Sequence, residues 1–157
     1  MGIVVNQAKD TFHLYNEEIS YIIGILPNRQ LGQLYFGKRI HIQEDYSYFL
    51  EMPVRPMSSC VFDTDKKFSM EYIRQEYPVF GTMDYRMPAV GVLQENGSRI
   101  SDFCFCGYRI EEGKPKLPGL PATYVEEENE AQTLIMELAD NVSGMSLELL
   151  YTIFSKG

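Results

Sequence analysis

Apolar and polar residues alternate near the C-terminal end of the chain, and this pattern limits the folds that it can adopt. Large apolar side chains occupy every second position, at Met145, Leu147, Leu149, Tyr151 and Ile153. Polar residues (Ser146, Glu148 and Thr152) stand between them. Because successive side chains of a strand point to opposite faces, this period of two predicts a half-buried β-strand and not a helix.

A shorter alternation precedes this strand. Leu134, Met136 and Leu138 would share one face, with Ile135 as an exception to the pattern. The intervening segment 140–144 reads DNVSG, a composition typical of a tight turn. The last third of the chain is therefore predicted to form two neighbouring strands.

Three further strand signals occupy the first forty residues. Runs of β-branched and aromatic residues cover 12–15, 20–26 and 31–40. Short polar turns separate them, and one of these turns opens with Pro27 and Asn28. This spacing is typical of consecutive antiparallel strands.

The strongest local signal for a β-hairpin is the Asn96-Gly97 pair. Glycine tolerates the positive φ that tight hairpin turns require. Apolar runs flank the pair at 89–94 and 99–110. We therefore expect these two runs to form paired strands.

Two stretches show no lasting period. Residues 41–88 mix charged, aromatic and proline residues, and within them Ser69 is a candidate N-cap for a short helix that Pro78 would end. Residues 111–124 contain three prolines and two glycines and predict an extended connection on the outside of a sheet. Loops of this length in compact domains are often involved in contacts.

These elements predict an all-β fold, an antiparallel β-sandwich with one short helix and long loops. The 157 residues suit a single domain with its own core. No linker or internal repeat divides the chain, so the domain is expected to span 1–157.

Charge and hydropathy exclude two classes of partner. The net charge of −8 would repel a phosphate backbone, so nucleic acid is not expected as a partner. The sequence contains no apolar run of the ~18 residues that a spanning helix needs, so no membrane is expected either. The N-terminus lacks the basic start and apolar core of a secretory signal, which predicts a cytoplasmic protein.

The three cysteines predict neither a disulfide framework nor a metal site. Cys104 and Cys106 would lie on one face of a strand, ~7 Å apart, which is too far for easy disulfide closure. Further candidate ligands are scattered along the chain, at Cys60, His13 and His41. We expect reduced cysteines and no metal or other cofactor.

Several quoted segments together resemble a known family. In order they are LGQLYFGKRI (31–40), QEYPVFGTMDYR (75–86), ENGSRISDF (95–103) and GKPKLPGLPATY (113–124). They resemble the N-terminal domain of microbial α-galactosidases of glycoside hydrolase family 36. The resemblance covers essentially the whole chain.

The resemblance implies a role within a larger enzyme. In that family an N-terminal β-supersandwich precedes a (β/α)₈ barrel, which carries the aspartate nucleophile and the acid/base of a retaining glycosidase. The full-length enzyme would hydrolyse terminal α-galactosides such as melibiose and raffinose. The chain is then expected to be an N-terminal domain truncated at its C-terminal end, without the barrel, with no catalytic residue of its own and inactive alone.

The resemblance also implies partners and candidate substrate-binding residues. The domain would pack on its own barrel, and region 41–88 would reach the active-site mouth of a neighbouring subunit in a homo-oligomer. Arg55 stands where relatives carry an arginine, although Val54 replaces the acid that often precedes it. The segment GTMDYR resembles the family's Gly-Thr-Gly-Asp-Phe-Arg and makes Asp84 and Arg86 the other candidates.

For Asp84 and Arg86 the residues leave several roles open. The two side chains could form an internal ion pair, or Asp84 could accept backbone N–H bonds within a tight turn. An interface contact and a direct contact with the sugar are the remaining interpretations.

A free-standing carbohydrate-binding module is the alternative function. Aromatic residues at 35, 36, 46, 48 and 49 could form a sugar-binding face. The chain has no tryptophan, and Phe36 stands where relatives often carry one. Clustered aromatics more commonly pack in a core, so the domain of an α-galactosidase is the favoured interpretation.

Overall fold

The computed structural model describes residues 1–53, 61–62, 65–119 and 121–156. Arg55 and Cys60 therefore lie outside the described residues. The strands in chain order are β1 Gly2–Asn6, β2 Thr11–Tyr15, β3 Ile19–Ile25, β4 Leu31–Lys38, β5 Val61–Phe62, β6 Asp65–Ser69, β7 Phe103–Glu112, β8 Ala131–Asp140 and β9 Ser146–Phe154. The helical segments found in these ranges are two short 3₁₀ turns, Ser47–Phe49 and Glu128–Glu130.

The N-terminal strands form an antiparallel sheet in the order β1-β2-β3-β4. The strands predicted from the runs at 12–15, 20–26 and 31–40 are confirmed as β2, β3 and β4. Strand β1 was not predicted, because the apolar run of Ile3, Val4 and Val5 is too short to show a period. Antiparallel β5 and β6 form a separate small ladder.

The second sheet has the order β7-β8-β9 and is also antiparallel. Its β8–β9 hairpin confirms the two alternations and the turn between them. The Asp140 N–H donates to the Met145 carbonyl at 2.8 Å, and Gly144 adopts the positive φ of 75° that closes the turn.

The two sheets pack as a sandwich around one apolar core. Phe12 and Ile23 from the first sheet meet Leu134 and Met136 from the second. Ile135, the exception in the alternation, is also buried, at 2% exposure. The central strand β8 is therefore covered on both faces, which explains why its pattern is less regular than that of β9.

The outer face of the first sheet is also covered. The segment 39–50, which we call the cover segment, packs Tyr46 against Ile22 and Leu34 in a second buried cluster. Phe49 and Leu50 pack around this cluster. The first sheet therefore lies between the second sheet and the cover segment.

The predicted pairing of residues 89–94 with residues 99–110 is wrong. Asn96 and Gly97 do form a turn, with Gly97 at φ 82° and a hydrogen bond from Gln94 N–H to the Ser98 carbonyl of 2.9 Å. Residues 89–94 are not a strand, however, and β7 begins only at Phe103 and pairs with β8. Phe103 gains burial in the sandwich core, whereas Leu93 is 70% exposed.

The predicted short helix after Ser69 does not form. Ser69 ends β6, and its hydroxyl accepts the Glu71 N–H at 3.3 Å in a local turn. Phe68, Met70 and Ile73 instead bury their side chains together. This burial outweighs the capping preference of a single serine.

The second irregular stretch, 111–124, is largely a connection without strand, as predicted. Strand β7 extends to Glu112, and the described residues from 113 to 127 contain no strand. Across all described ranges, no helix has the length and apolar character that crossing a membrane requires.

Candidate functional site

The predicted site residues Asp84 and Arg86 form an internal ion pair in a tight turn. Asp84 is only 3% exposed. Its Oδ1 accepts the backbone N–H of Arg86 at 3.0 Å and Nε at 2.9 Å, and its Oδ2 accepts Nη2 at 2.6 Å. Both structural interpretations of this aspartate, an ion pair and a backbone acceptor, are therefore realised together.

Arg86 also fastens the turn to a neighbouring segment. Its Nη2 donates to the carbonyl oxygens of Ile73 at 2.8 Å and of Met70 at 3.3 Å. One guanidinium thus holds residues 70–73 against the turn at 81–86.

The electrostatics of Asp84 follow from these contacts. Burial raises the cost of its negative charge, but the hydrogen bonds from the Arg86 side chain and backbone outweigh burial and hold the pKa of Asp84 below 3.8. The carboxylate is therefore ionised at neutral pH and saturated with donors. This arrangement suits a fixed shape better than proton transfer.

Beside this turn lies an exposed apolar surface that sequence reasoning missed. We call it the apolar platform; its members, which line one open groove, are Phe80, Tyr85, Met87 and Leu93. Met87 is 87% exposed. The only signal in the sequence was the apolar character of 87–93, which has no period to separate exposed from buried positions.

Backbone hydrogen bonds fix the shape of the platform. The Ala89 N–H donates to the Pro78 carbonyl at 2.8 Å, and the Ser101 N–H donates to the Phe80 carbonyl at 3.1 Å. Arg86 and Arg99 line the same open groove as the platform's apolar side chains. The surface therefore combines apolar side chains with basic groups.

Neither cysteine on β7 belongs to a metal site in the described ranges, where no group of three or more potential ligands comes together. Burial, and then the charge of Asp102, raises the pKa of Cys104 to about 11. Cys106 is exposed, and it lies where the β7–β8 register shifts between Phe105 and Gly107. This bulge interrupts the alternation on which the same-face prediction rested.

Comparison with known families gives a match over most of the chain. The model for the glycosyl hydrolase family 36 N-terminal domain matches residues 29–157. The matched range includes β4, the platform and the whole second sheet.

Curated relatives match along almost the entire chain. The chain is 39% identical to alpha-galactosidase 1 of Pediococcus pentosaceus over 97% of its length, and 37% identical to alpha-galactosidase AgaA of Geobacillus stearothermophilus over 99%. In both cases it spans 21% of the relative, about a fifth.

Solved structures share the fold. The α-galactosidase of Lactobacillus brevis superposes with a TM-score of 0.89 at 37% identity, covering 98% of this chain and 21% of that one. AgaB of Geobacillus stearothermophilus gives a TM-score of 0.86 at 36% identity, with coverages of 99% and 21%. The chain belongs to the N-terminal domain family of glycosyl hydrolase family 36.

Proposed function

We propose that the chain is a non-catalytic N-terminal domain of an α-galactosidase and packs on a catalytic barrel that lies outside residues 1–157. The whole enzyme would hydrolyse terminal α-galactosides such as melibiose and raffinose with retention. The relatives' names support this activity, and one similar structure is a substituted AgaA in complex with raffinose.

The observation that carries the proposal is the apolar platform. Exposed apolar patches on soluble domains commonly mark contacts with another protein surface. Met87 and Leu93 lie on a backbone held by hydrogen bonds, so their exposure is built into the fold. About four-fifths of each relative lies outside the matched region, which leaves room for a further domain. The proposed occupant of the platform is the enzyme's own barrel.

The candidate residues take indirect roles in this proposal. Asp84 and Arg86 shape the edge of the platform, and the Arg86 side chain, which is half exposed, lies at the proposed interdomain or intersubunit surface. Arg55 lies outside the described residues and is proposed to face the substrate or a neighbouring subunit. The assembled enzyme would be a cytoplasmic homo-oligomer.

A chimeric enzyme tests the proposal. This chain would replace the matching N-terminal fifth of AgaA, and hydrolysis of p-nitrophenyl α-galactoside would be followed against temperature. We expect an active chimera whose inactivation temperature falls when Met87→Ser and Leu93→Ser are combined.

Tyr124→Ser is the matched control, because Tyr124 is 78% exposed and is not a member of the platform. The control should behave like the unsubstituted chimera. If the double platform variant matched the control, the platform would not be the docking surface.

The carbohydrate-binding module remains the second candidate because Phe36 and Tyr48 are 65% and 61% exposed. Tyr46 is buried and Phe49 packs in the same cluster, so the predicted aromatic face is divided between the core and the surface. NMR titration with galactose and raffinose separates the two functions. Sub-millimolar binding by this chain alone would favour the module.

A further inference from the structure

The cover segment is fastened to the first sheet through a buried histidine. His13 lies on β2 and is 2% exposed. Its Nδ1 is 2.8 Å from the Tyr46 hydroxyl, and its Nε2 is 2.8 Å from the Ser20 hydroxyl. Both ring nitrogens therefore have hydrogen-bond partners inside the fold.

Each of these hydroxyls also accepts a backbone N–H of the cover segment. Gln43 N–H donates to the Tyr46 hydroxyl at 2.8 Å, and Ile40 N–H donates to the Ser20 hydroxyl at 3.0 Å. His13 thus occupies the centre of a network that joins β2, β3 and the cover segment.

Tyr46 and Ser20 are both buried, and each of their hydroxyls contacts one ring nitrogen. The phenol is the more acidic donor and the serine oxygen the better acceptor, so we assign the Tyr46 hydroxyl as the donor to Nδ1 and the proton of the neutral ring to Nε2. The Nε2–H then donates to the second lone pair of Ser20. Nδ1 must stay unprotonated for this arrangement to hold.

The surroundings of the ring oppose a positive charge. Arg39, in the cover segment, stacks on Tyr15 at 3.7 Å, and the Tyr15 ring is 5.6 Å from His13. β3 contributes Ser20 and Ile22, and β1 contributes Val4, none of which is charged. Asp45 of the cover segment is engaged with Lys9 and the Ser47 amide.

Burial first, and the charge of Arg39 second, lower the pKa of His13 from 6.5 to about 4. A buried neutral histidine of this kind binds its proton more weakly in the closed state than in an opened one. Acid therefore favours opening.

We propose that His13 is a proton-sensitive fastening for the cover segment. Protonation of Nδ1 removes the acceptor of the Tyr46 hydroxyl and places a cation beside Arg39. The segment then separates from the outer face of the first sheet and exposes Ile22 and Leu34. The fastening concerns this chain alone and holds whether or not the domain packs on a barrel.

Hydrogen exchange of the unmodified chain at pH 8 and pH 5 tests this fastening. The pKa of His13 is 6.5 in the open state and about 4 in the closed state. The equilibrium constant for opening should therefore increase about 30-fold from pH 8 to pH 5. The protection factors of the Gln43 and Ile40 amides should fall by that factor, whereas those of β8 should stay constant. Equal protection at both pH values, or an equal fall in β8, would overturn the proposal.

Two substitutions in the full chain separate His13 from general acid effects. His13→Gln cannot titrate and should abolish the pH dependence at Gln43 and Ile40. His41→Gln is the matched control, because His41 is an exposed histidine of the same segment, and it should leave the pH dependence intact. A pH dependence that follows His41 instead would contradict the proposal.

Tyr46→Phe provides a readout if His13→Gln does not fold. It removes the donor that occupies Nδ1 but keeps the aromatic ring in place. The midpoint of the His13 ring titration, followed by the ¹³Cε1 chemical shift, should move upward from about 4. An unchanged midpoint would show that Tyr46 does not hold Nδ1 unprotonated.

Discussion

At the scale of single residues, Asp84 and Arg86 determine the shape of a loop. The carboxylate is buried and receives donors from the Arg86 backbone and side chain, while the guanidinium also reaches the Ile73 carbonyl. Replacing Arg86 would leave the buried Asp84 carboxylate without this guanidinium. A buried polar group without a partner is costly because it has lost its water.

Asp84→Asn should lower the free energy of unfolding by about 1–3 kcal/mol, because the neutral amide cannot replace the charged acceptor. Urea denaturation at pH 7 measures this loss. Glu111→Gln is the control, since Glu111 contacts Arg109 on the exposed surface, where a single ion pair contributes little. Equal midpoints for the two variants would contradict the structural role of Asp84.

The same pair predicts a dependence on pH. The folded-state pKa of Asp84 lies below 3.8, so the stabilisation from its ionised form is present above 3.8 and is lost as the pH falls through the folded-state value. The difference in unfolding free energy between the parent chain and Asp84→Asn should therefore be smaller at pH 3 than at pH 5. A constant difference would show that the carboxylate charge is not the stabilising feature.

At the scale of elements, one carboxylate joins three parts of the fold. Glu76 accepts the hydroxyl of Tyr21 on β3 at 2.6 Å and that of Tyr151 on β9 at 2.7 Å. Its own backbone N–H donates to the Leu31 carbonyl on the edge of β4. Burial first, and then Glu76, raise the pKa of both phenols, so they remain donors at neutral pH.

Tyr151→Phe should cost about 1–2 kcal/mol of unfolding free energy, because a hydrogen bond to a charged acceptor is lost between the sheets. In a double-mutant cycle with Glu76→Gln, the coupling should exceed about 0.5 kcal/mol. Tyr124→Phe, at a largely exposed position, should be neutral. Additive effects of the two substitutions would contradict the contact across the sheets.

The elements differ in how far the sequence predicts them. The β8–β9 hairpin is predictable because burial on the two faces of β9 differs, so its side chains alternate. The turn at Asn96 and Gly97 is also predictable, but the pairing of β7 depends on the core that Phe103 enters, which a local pattern does not contain.

In the candidate site too, local contacts can be predicted from the sequence and long-range contacts cannot. The contact of Asp84 with Arg86 is local, since the two residues lie two positions apart, and it was among the interpretations that the sequence left open. The contact of Glu76 with Tyr21 and Tyr151 joins residues 55 and 75 positions apart. The apolar platform was missed because a sequence without a period does not show which of its apolar residues are exposed and which are buried.

At the scale of the whole molecule, an edge strand and the apolar platform favour association. Strand β9 pairs only with β8 among the described strands, so no described strand covers its other edge. Exposed strand edges can pair with another chain. The platform adds exposed apolar area. The net charge of −8 opposes contact, but salt screens this repulsion beyond about 8 Å at physiological ionic strength.

We therefore expect the chain to form dimers or larger species at tens of micromolar, through β9 or region 41–88. Sedimentation equilibrium measures the mass directly. A monomer with slow amide exchange along β9 would show that the chain protects its own edge.

We propose that this chain is a domain of an α-galactosidase whose catalytic residues lie outside residues 1–157. Retaining hydrolysis requires two carboxyl groups about 5–5.5 Å apart on a rigid scaffold, and the proposed function places that pair on the barrel. The most direct test is the hydrolysis of p-nitrophenyl α-galactoside by the purified chain alone. We predict no release of p-nitrophenol above the buffer rate; turnover that disappears when one of the chain's own 22 acidic residues is substituted would contradict the account.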